Sequence, residues 1–118
     1  MITKAIHVSG SRKSAIARAT LTLGAGIVRV NSQLLDTYEP SISRLKIQEP
    51  IIIAGDRAKN VNISVQVHGG GTTSQADACR LAVARALARY DKTLQKSFLD
   101  YDRALLVADV RRKETHKP

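Results

Sequence analysis

Residues 67–90 read VHGGGTTSQADACRLAVARALARY, a strand ending that runs through a glycine turn into the best helix of the chain. Gly69, Gly70 and Gly71 carry no Cβ, so the backbone can turn sharply there and a bulky polyanion can come close to it. Ser74 suits an N-cap, with Asp77 three residues on as a shortened capping box, which makes Gln75 the first expected helical residue. At about 100° per residue, Gln75, Cys79, Val83, Ala86 and Tyr90, flanked by Ala82 and Leu87, fall on one apolar face. Arg80 and Arg89 lie to its two sides, and Arg85 is rotated towards the back.

Glycines followed by a helix N-terminus offer backbone N–H groups and the positive end of a macrodipole, a device for holding phosphate. Three glycines at a strand end are also ordinary turn chemistry, and both readings stand at this level. No Lys-Ser or Lys-Thr follows the glycines at the Walker distance, and Ser74 stands where a dinucleotide-binding loop needs its third glycine, so nucleotide hydrolysis is disfavoured.

Composition points to the partner. A chain of 118 residues is one domain with room for a real core. Nineteen Lys and Arg against ten Asp and Glu leave a formal net charge of +9, which fits a polyanion, with nucleic acid the leading class. From Met1 to Leu35 the chain carries Lys4, Arg12, Lys13, Arg18 and Arg29 with no acid, and the end brings Arg111, Arg112, Lys113 and Lys117 against Glu114. The middle is closer to balance. The single Cys79 falls on the apolar helix face and reads as a small core residue, so no disulfide or cysteine metal site can be built. The longest aliphatic runs, such as Ile51 to Ala54, fall far short of a membrane span.

In chain order, Ala5 to Ser9 reads as a short strand, Gly10 to Lys13 as a basic turn, and Ser14 to Leu23 as a long strand. Ala15, Ala17, Ala19, Leu21 and Leu23 share one face of that strand, with Ile16, Arg18, Thr20 and Thr22 on the other. Gly24-Ala25-Gly26 reads as a hairpin into Ile27 to Val30, where Arg29 points opposite to its apolar neighbours, and Asn31-Ser32 closes the strand. Thr37 to Gln48 turns helical, with Pro40 in the first turn, Ile42, Leu45 and Gln48 facing in, and Pro50 ending it. Ile51 to Ile53 is too short for periodicity to decide, and a helical turn started by Pro50 is favoured over a strand. After a polar loop from Asp56 to Asn60, Val61, Ile63, Val65 and Val67 alternate with Asn62, Ser64, Gln66 and His68 as a half-buried strand. Asp91 to Leu99 continues as an amphipathic helix on Leu94 and Phe98, and Ala104 to Ala108 gives a last apolar patch. The order predicts an α+β domain over residues 1–110, with a mainly antiparallel four-stranded sheet covered on one face by helices. A basic C-terminal extension follows over 111–118; four of its eight residues are Arg or Lys, so it is expected to have no fixed structure in the absence of RNA.

Four segments taken together, SRKSAIARATLTLGAGIVRVN, LKIQEPIIIAG, VHGGGTTSQADACRLAVARALARY and YDRALLVADVRRKETHKP, resemble the ninth universal protein family of the ribosomal small subunit in its archaeal and eukaryotic form. The specific parts are Gly10 with Arg12, Lys13, Ser14, Ala15, Ala17 and Arg18; the triple glycine with Gln75-Ala76-Asp77-Ala78 and Arg80; and Asp102-Arg103 with Leu105 to Asp109 and Arg111-Arg112. The resemblance implies a left-handed βαβ crossover of the kind in the second domain of ribosomal protein S five. It also implies residence in the small-subunit head on the 3′ major domain of the rRNA, beside other head proteins. In that family a basic tail threads through rRNA and its last residues reach the peptidyl-site tRNA. The family pattern runs on past His116-Lys117-Pro118 into a Gly/Arg/Lys-rich run, so contact with tRNA is tied to a longer tail, whereas rRNA binding is expected of the body.

With four aromatics and no Trp, and Tyr90 and Phe98 claimed by the helix pattern, base-stacking platforms are poorly supplied. Binding is expected to rest on phosphate and ribose contacts from Arg12, Lys13 and Arg18 at the first turn and strand, from Gly69, Gly70, Gly71, Gln75 and Arg80 at the helix start, and from Arg111, Arg112, Lys113 and Lys117 in the tail. The bland alternative for Arg80 is an ion pair with Asp77 at helical spacing. No cofactor is expected. The rival class is a small phosphate-binding enzyme with a kinase-like glycine loop; its candidates for catalysis are thin, since His7, His68 and His116 lack metal-ligand spacing and Asp100 and Asp102 read as turn formers.

Overall fold

The computed structural model describes residues 5–38 and 41–101. Strands β1 (Ile6–Arg12), β2 (Ala15–Leu23), β3 (Val28–Val30) and β4 (Gln33–Leu34) come first, then a 3-10 turn (Leu35–Thr37) and helix α1 (Ser41–Ala54). A second 3-10 segment (Gly55–Asn60) leads to β5 (Val61–His68), then helices α2 (Thr72–Tyr90) and α3 (Lys92–Tyr101). The expected positions of Pro40, of the patch from Ala104 to Ala108 and of the basic extension lie outside the described residues.

The sheet has five strands in the order β1-β2-β5-β3-β4, and it is mixed rather than the mainly antiparallel four-stranded sheet read from the sequence. Strand β5 lies between β2 and β3, antiparallel to the first and parallel to the second. Gly24 to Gly26 is therefore not a hairpin. The segment passes over the start of β5 and is held there by Asn62, whose Oδ1 accepts the N–H groups of Ala25 and Ile27, each at 3.0 Å. At the other end Asn31 does the same work: its N–H donates to the Val65 carbonyl at 2.7 Å, and its side-chain amide exchanges two hydrogen bonds with Val67. Asn31 and Ser32 both have positive φ and turn the chain into β4, a short edge strand too brief to show a period in the sequence. A local Gly-Ala-Gly pattern cannot report that a strand some 35 residues later will be inserted beside it.

Alternation along the long strands agrees with the sequence pattern. Ala15, Ala17, Ala19 and Leu21 on β2 and Val61, Ile63, Val65 and Val67 on β5 are buried, while Arg18, Ser64, Gln66 and His68 are exposed. Leu23, assigned to the inner face, is half exposed at the strand end. The covered face packs on α2, which touches β1, β2 and β5 and is itself flanked by α1 and α3. That is why α2 buries more than one stripe: Ala76, Ala78, Leu81 and Ala84 are buried along with Cys79, Ala82, Val83, Ala86 and Leu87. Burial pushes the Cys79 thiol up to about 12, so it stays protonated as a small core group.

Helix α1 reverses the sequence expectation. Ser43, Ile47, Pro50 and Ala54, spaced 4, 3 and 4 residues apart, face the core, whereas Ile42 and Leu45 are 70% and 57% exposed. Pro50 does not end the helix; it is buried within it, and Ile51 to Ile53 continue as helical turns. A proline costs one backbone hydrogen bond, and here its ring contributes to the face that packs towards α2. Between α2 and α3, Asp91 joins the two helices: its N–H donates to the Leu87 carbonyl, and its Oδ1 accepts from the Thr93 N–H at 3.0 Å and the Thr93 hydroxyl at 2.7 Å. These bonds and the Arg57 guanidinium hold its carboxyl below the usual carboxylate range. Helix α3 then buries Leu94 and Phe98, as its periodicity predicted.

Gly10 belongs to β1, paired with Ala17, and not to the turn assigned from the sequence. A Cβ at this position would lie 2.8 Å from the Ala82 nitrogen and 2.9 Å from the Ala78 carbonyl oxygen, so the strand can lie against the backbone of α2 only because no side chain intervenes. Replacing Gly10 with Ala is expected to cost roughly 1–3 kcal/mol of stability through overpacking, read as a lower urea midpoint at unchanged slope. Asp91→Ala is expected to lower the melting temperature near neutral pH, and the difference from wild type should shrink on acidification. The folded-state pKa is depressed, so its stabilisation is present above the unfolded carboxylate pKa and is lost as pH falls through the folded value.

Candidate nucleic-acid interface

Strands β1 and β2 are joined by a two-residue turn, Lys13-Ser14, with Arg12 paired to Ala15 and Lys13 at φ +56°. Strand β5 ends beside this turn, because Ile16 pairs with His68. The chain then passes through Gly69 and Gly70, both with positive φ, directly against the turn. A Cβ on Gly69 would sit on the Ser14 carbonyl oxygen, and one on Gly70 would lie 3.2 Å from the nitrogen and Cβ of Ala15 and from the Ser74 Cβ. Lys13 and the glycines, far apart in sequence, thus form one surface.

Helix α2 starts at Thr72, with Gly71 in the N-cap position, so the expected start at Gln75 with Ser74 as cap is corrected to an earlier turn. Gly71 is extended (φ −102°, ψ −177°) and has no side chain to cap the helix. The Gln75 N–H already bonds the Gly71 carbonyl at 2.9 Å, which closes the first helical turn, and the amides ahead of it lie outside the helical ladder by geometry. The positive end of a 19-residue helix therefore emerges next to Lys13. Gln75 reaches back instead of out: its Nε2 donates to the Gly69 carbonyl at 3.1 Å and fixes the loop.

The remaining residues selected from the sequence divide. Arg12 turns towards α2, with Nε 3.7 Å from Asp77 Oδ2, and Lys46 Nζ approaches the other oxygen of the same carboxylate at 3.4 Å. Asp77 is thus an ion-pair partner of β1 and α1 rather than part of a capping box. Arg80 pairs with Glu49 on α1 (2.7 and 2.8 Å), and its side chain is 17% exposed. Arg18 lies away from the glycines on the open face of the sheet, between Ser9 and Gln66 in the adjoining strands. Arg111, Arg112, Lys113 and Lys117 lie outside the described residues.

The open face carries residues the sequence reading did not select. Arg29 on β3 stands opposite Ser64, which is paired in turn with Thr20, and Thr20 with His7, whose Nδ1 is 3.2 Å from the Thr20 hydroxyl. Arg29 was recognisable from its alternation with Val28 and Val30, yet a single charge in a three-residue strand gives no sign of the face it joins. None of the five strands contains an Asp or a Glu. On the helices and loops, carboxylates are engaged: Glu49 by Arg80, Asp56 by Lys59, Asp77 by Arg12 and Lys46, and Asp91 by Arg57. Lys13, Arg18 and Arg29 form no ion pair among the described residues.

An α+β domain with an acid-free open sheet face and a lysine turn beside an uncapped helix N-terminus has the physical features that suit a phosphate-bearing ligand. The chain matches the family described as Ribosomal protein S9/S16 over residues 10–118. It is 45% identical over 117 residues to the small ribosomal subunit protein uS9 of Methanococcus vannielii, covering 98% of this chain and 87% of that one. It is 44% identical over the same span to uS9 of Methanococcus maripaludis strain C7. The chain belongs to the ribosomal protein S9/S16 family, whose members are structural components of the small ribosomal subunit and not enzymes, which removes the kinase-like alternative.

The three glycines are not equivalent, and stability separates them. Gly70→Ala combines a positive φ with contacts at 3.2 Å and is expected to destabilise the domain by about 1 kcal/mol or more. A Cβ on Gly71 meets nothing within 4 Å. Gly71→Asp should instead raise the melting temperature slightly, because aspartate is a better N-cap and its charge complements the helix dipole.

Proposed function

We propose that this protein binds small-subunit rRNA by its phosphates, using the Lys13-Ser14 turn, the Gly69–Gly71 loop and the first turn of α2 as one site, with Arg18 on the open sheet face as a second contact. The observation that carries this reading is the packing of a lysine turn against an uncapped helix start, while the nearby carboxylate of Asp77 is already shared by two cations. In this reading Gly71 is where backbone and phosphate meet. Gly69 and Gly70 serve the turn, Gln75 holds it, and Arg12 and Arg80 brace α2 from β1 and α1. The few aromatics leave recognition to the shape of folded RNA rather than to stacked bases.

Family membership supports the wider setting: a place in the head of the small subunit, on the 3′ major domain of the rRNA, beside other head proteins, in ribosomes of the cytoplasm. In the same reading the β3–α1–β5 connection is the left-handed crossover implied by the resemblance. Residues 1–110 are the binding body, and Arg111, Arg112, Lys113 and Lys117 extend the basic surface along rRNA, towards the peptidyl-site tRNA where a longer tail is present.

Affinity for small-subunit rRNA is expected to fall steeply with salt, with a log–log slope that reflects several released counterions. Salt-independent binding would contradict the proposal. Lys13→Gln should lower that slope by roughly one unit with little change in melting temperature. Gly71→Asp should weaken rRNA binding even though it stabilises the free fold. Removal of residues 111–118 should weaken binding and reduce the slope by roughly one unit for each phosphate that is no longer neutralised.

A further inference from the structure

The geometry points to a second RNA-backbone site, in the groove between β1 and the corner of α2 and α3. The groove has a volume of about 410 Å³ and is lined by Val8, Arg85, Ala88, Arg89, Lys92 and Gln95. The inference rests on the phosphate-binding reading above, but none of these residues belongs to the glycine-turn site.

Strand β1 is an edge of the sheet, and its exposed carbonyls are met by arginines from α2. Arg85 Nη1 donates to the Ser9 carbonyl at 2.8 Å, and Arg89 Nη1 donates to the His7 carbonyl at 3.3 Å. These contacts blunt the edge against pairing with another strand, and they also fix where the guanidinium groups stand. A carbonyl carries no net charge, so the bond that orients Arg89 leaves its charge in place, and a guanidinium has five donors to share. Lys92 adds a third cation just beyond Arg89, across the junction of the two helices. Arg89 and Lys92 form no ion pair among the described residues, and Asp91 is turned away to Arg57 and Thr93. Arg89 and Lys92 thus set two like charges side by side at the helix junction, and no described residue of the groove lining is acidic. A polyanion relieves their repulsion.

The shape suits the same ligand. Val8 and Ala88 give a shallow apolar floor against which a ribose can lie, the cations line the rim, and the exposed Gln95 offers an amide to a phosphate or a 2′-hydroxyl. From His7 to Lys13 the chain spans roughly 20 Å, so the groove and the Lys13-Ser14 turn lie towards opposite ends of β1. Between them Gly10 keeps α2 close to that strand. The partner is a sugar–phosphate backbone running beside β1.

The full chain carrying Lys92→Gln and Gln95→Glu together tests this, because both positions are exposed and neither side chain forms a hydrogen bond among the described residues. Binding of full-length small-subunit rRNA is measured against salt for wild type, for the double variant and for Lys13→Gln, with melting temperatures alongside. The expected result is an unchanged melting temperature, a several-fold loss of affinity and a slope lower by roughly one to two units in the double variant. If the double variant keeps wild-type affinity and slope while Lys13→Gln loses both, the groove proposal is overturned and the glycine-turn site stands. If wild type itself binds without salt dependence, the phosphate reading fails and the groove proposal fails with it.

Discussion

Close approach of small residues to helix α2 is the constraint from which the rest of the structure follows. The helix presents Ala76, Ala78, Ala82, Ala84 and Ala86, and the sheet answers with Ala15, Ala17 and Ala19 on β2 and Gly10 on β1. Small side chains on both surfaces bring backbones near each other, and dispersion is strongest when no gap is left. Larger residues fill the periphery: Leu21, Ile63 and Val65 on the sheet, Ile47 from α1, Leu94 and Phe98 from α3. A helix held this tightly has one end to offer to solvent. Its N-terminus emerges beside the Lys13-Ser14 turn because β1, β2 and β5 are registered so that Ile16 meets His68 there.

The same packing sorts the charges. A net charge of +9 spread evenly would repel itself everywhere and favour no surface. Instead the carboxylates of the described residues sit on helices and in loops, where Glu49, Asp56, Asp77 and Asp91 tie elements together through Arg80, Lys59, Arg12, Lys46 and Arg57. The sheet, which has no acid, keeps Arg18 and Arg29 on its open face, and Lys13 stands at its edge. Internal ion pairs thus leave an uncompensated positive field on the surfaces that contain the proposed contacts. Exposed pairs of this kind add little to stability on their own; their larger effect is on where the remaining charge lies. Arg80 illustrates the difference between charge and availability: its residue type suggested a ligand contact, and its Glu49 partner makes it a brace between two helices.

Much of this was determined by the sequence alone, because alternation and helical period are local properties that burial enforces one residue at a time. The strand Val61 to His68, the buried face of β2, the existence of α2 and α3, and the inward positions of Leu94 and Phe98 could be read directly, as could the basic balance and the family resemblance. Other features were decided only by the tertiary structure. Insertion of β5 between β2 and β3 depends on Asn62 and Asn31 meeting segments that lie more than thirty residues away, and nothing local in Gly24-Ala25-Gly26 distinguishes that route from a hairpin. The inward face of α1 was misread because the larger aliphatics Ile42 and Leu45 outweighed Ser43 and Pro50, whereas α2 accepts the narrower stripe. The partners of Arg12 and Arg80 and the meeting of Lys13 with the glycines are long-range. Pair geometry between distant segments is fixed by how closely two packed surfaces can approach, and no window of sequence contains that distance.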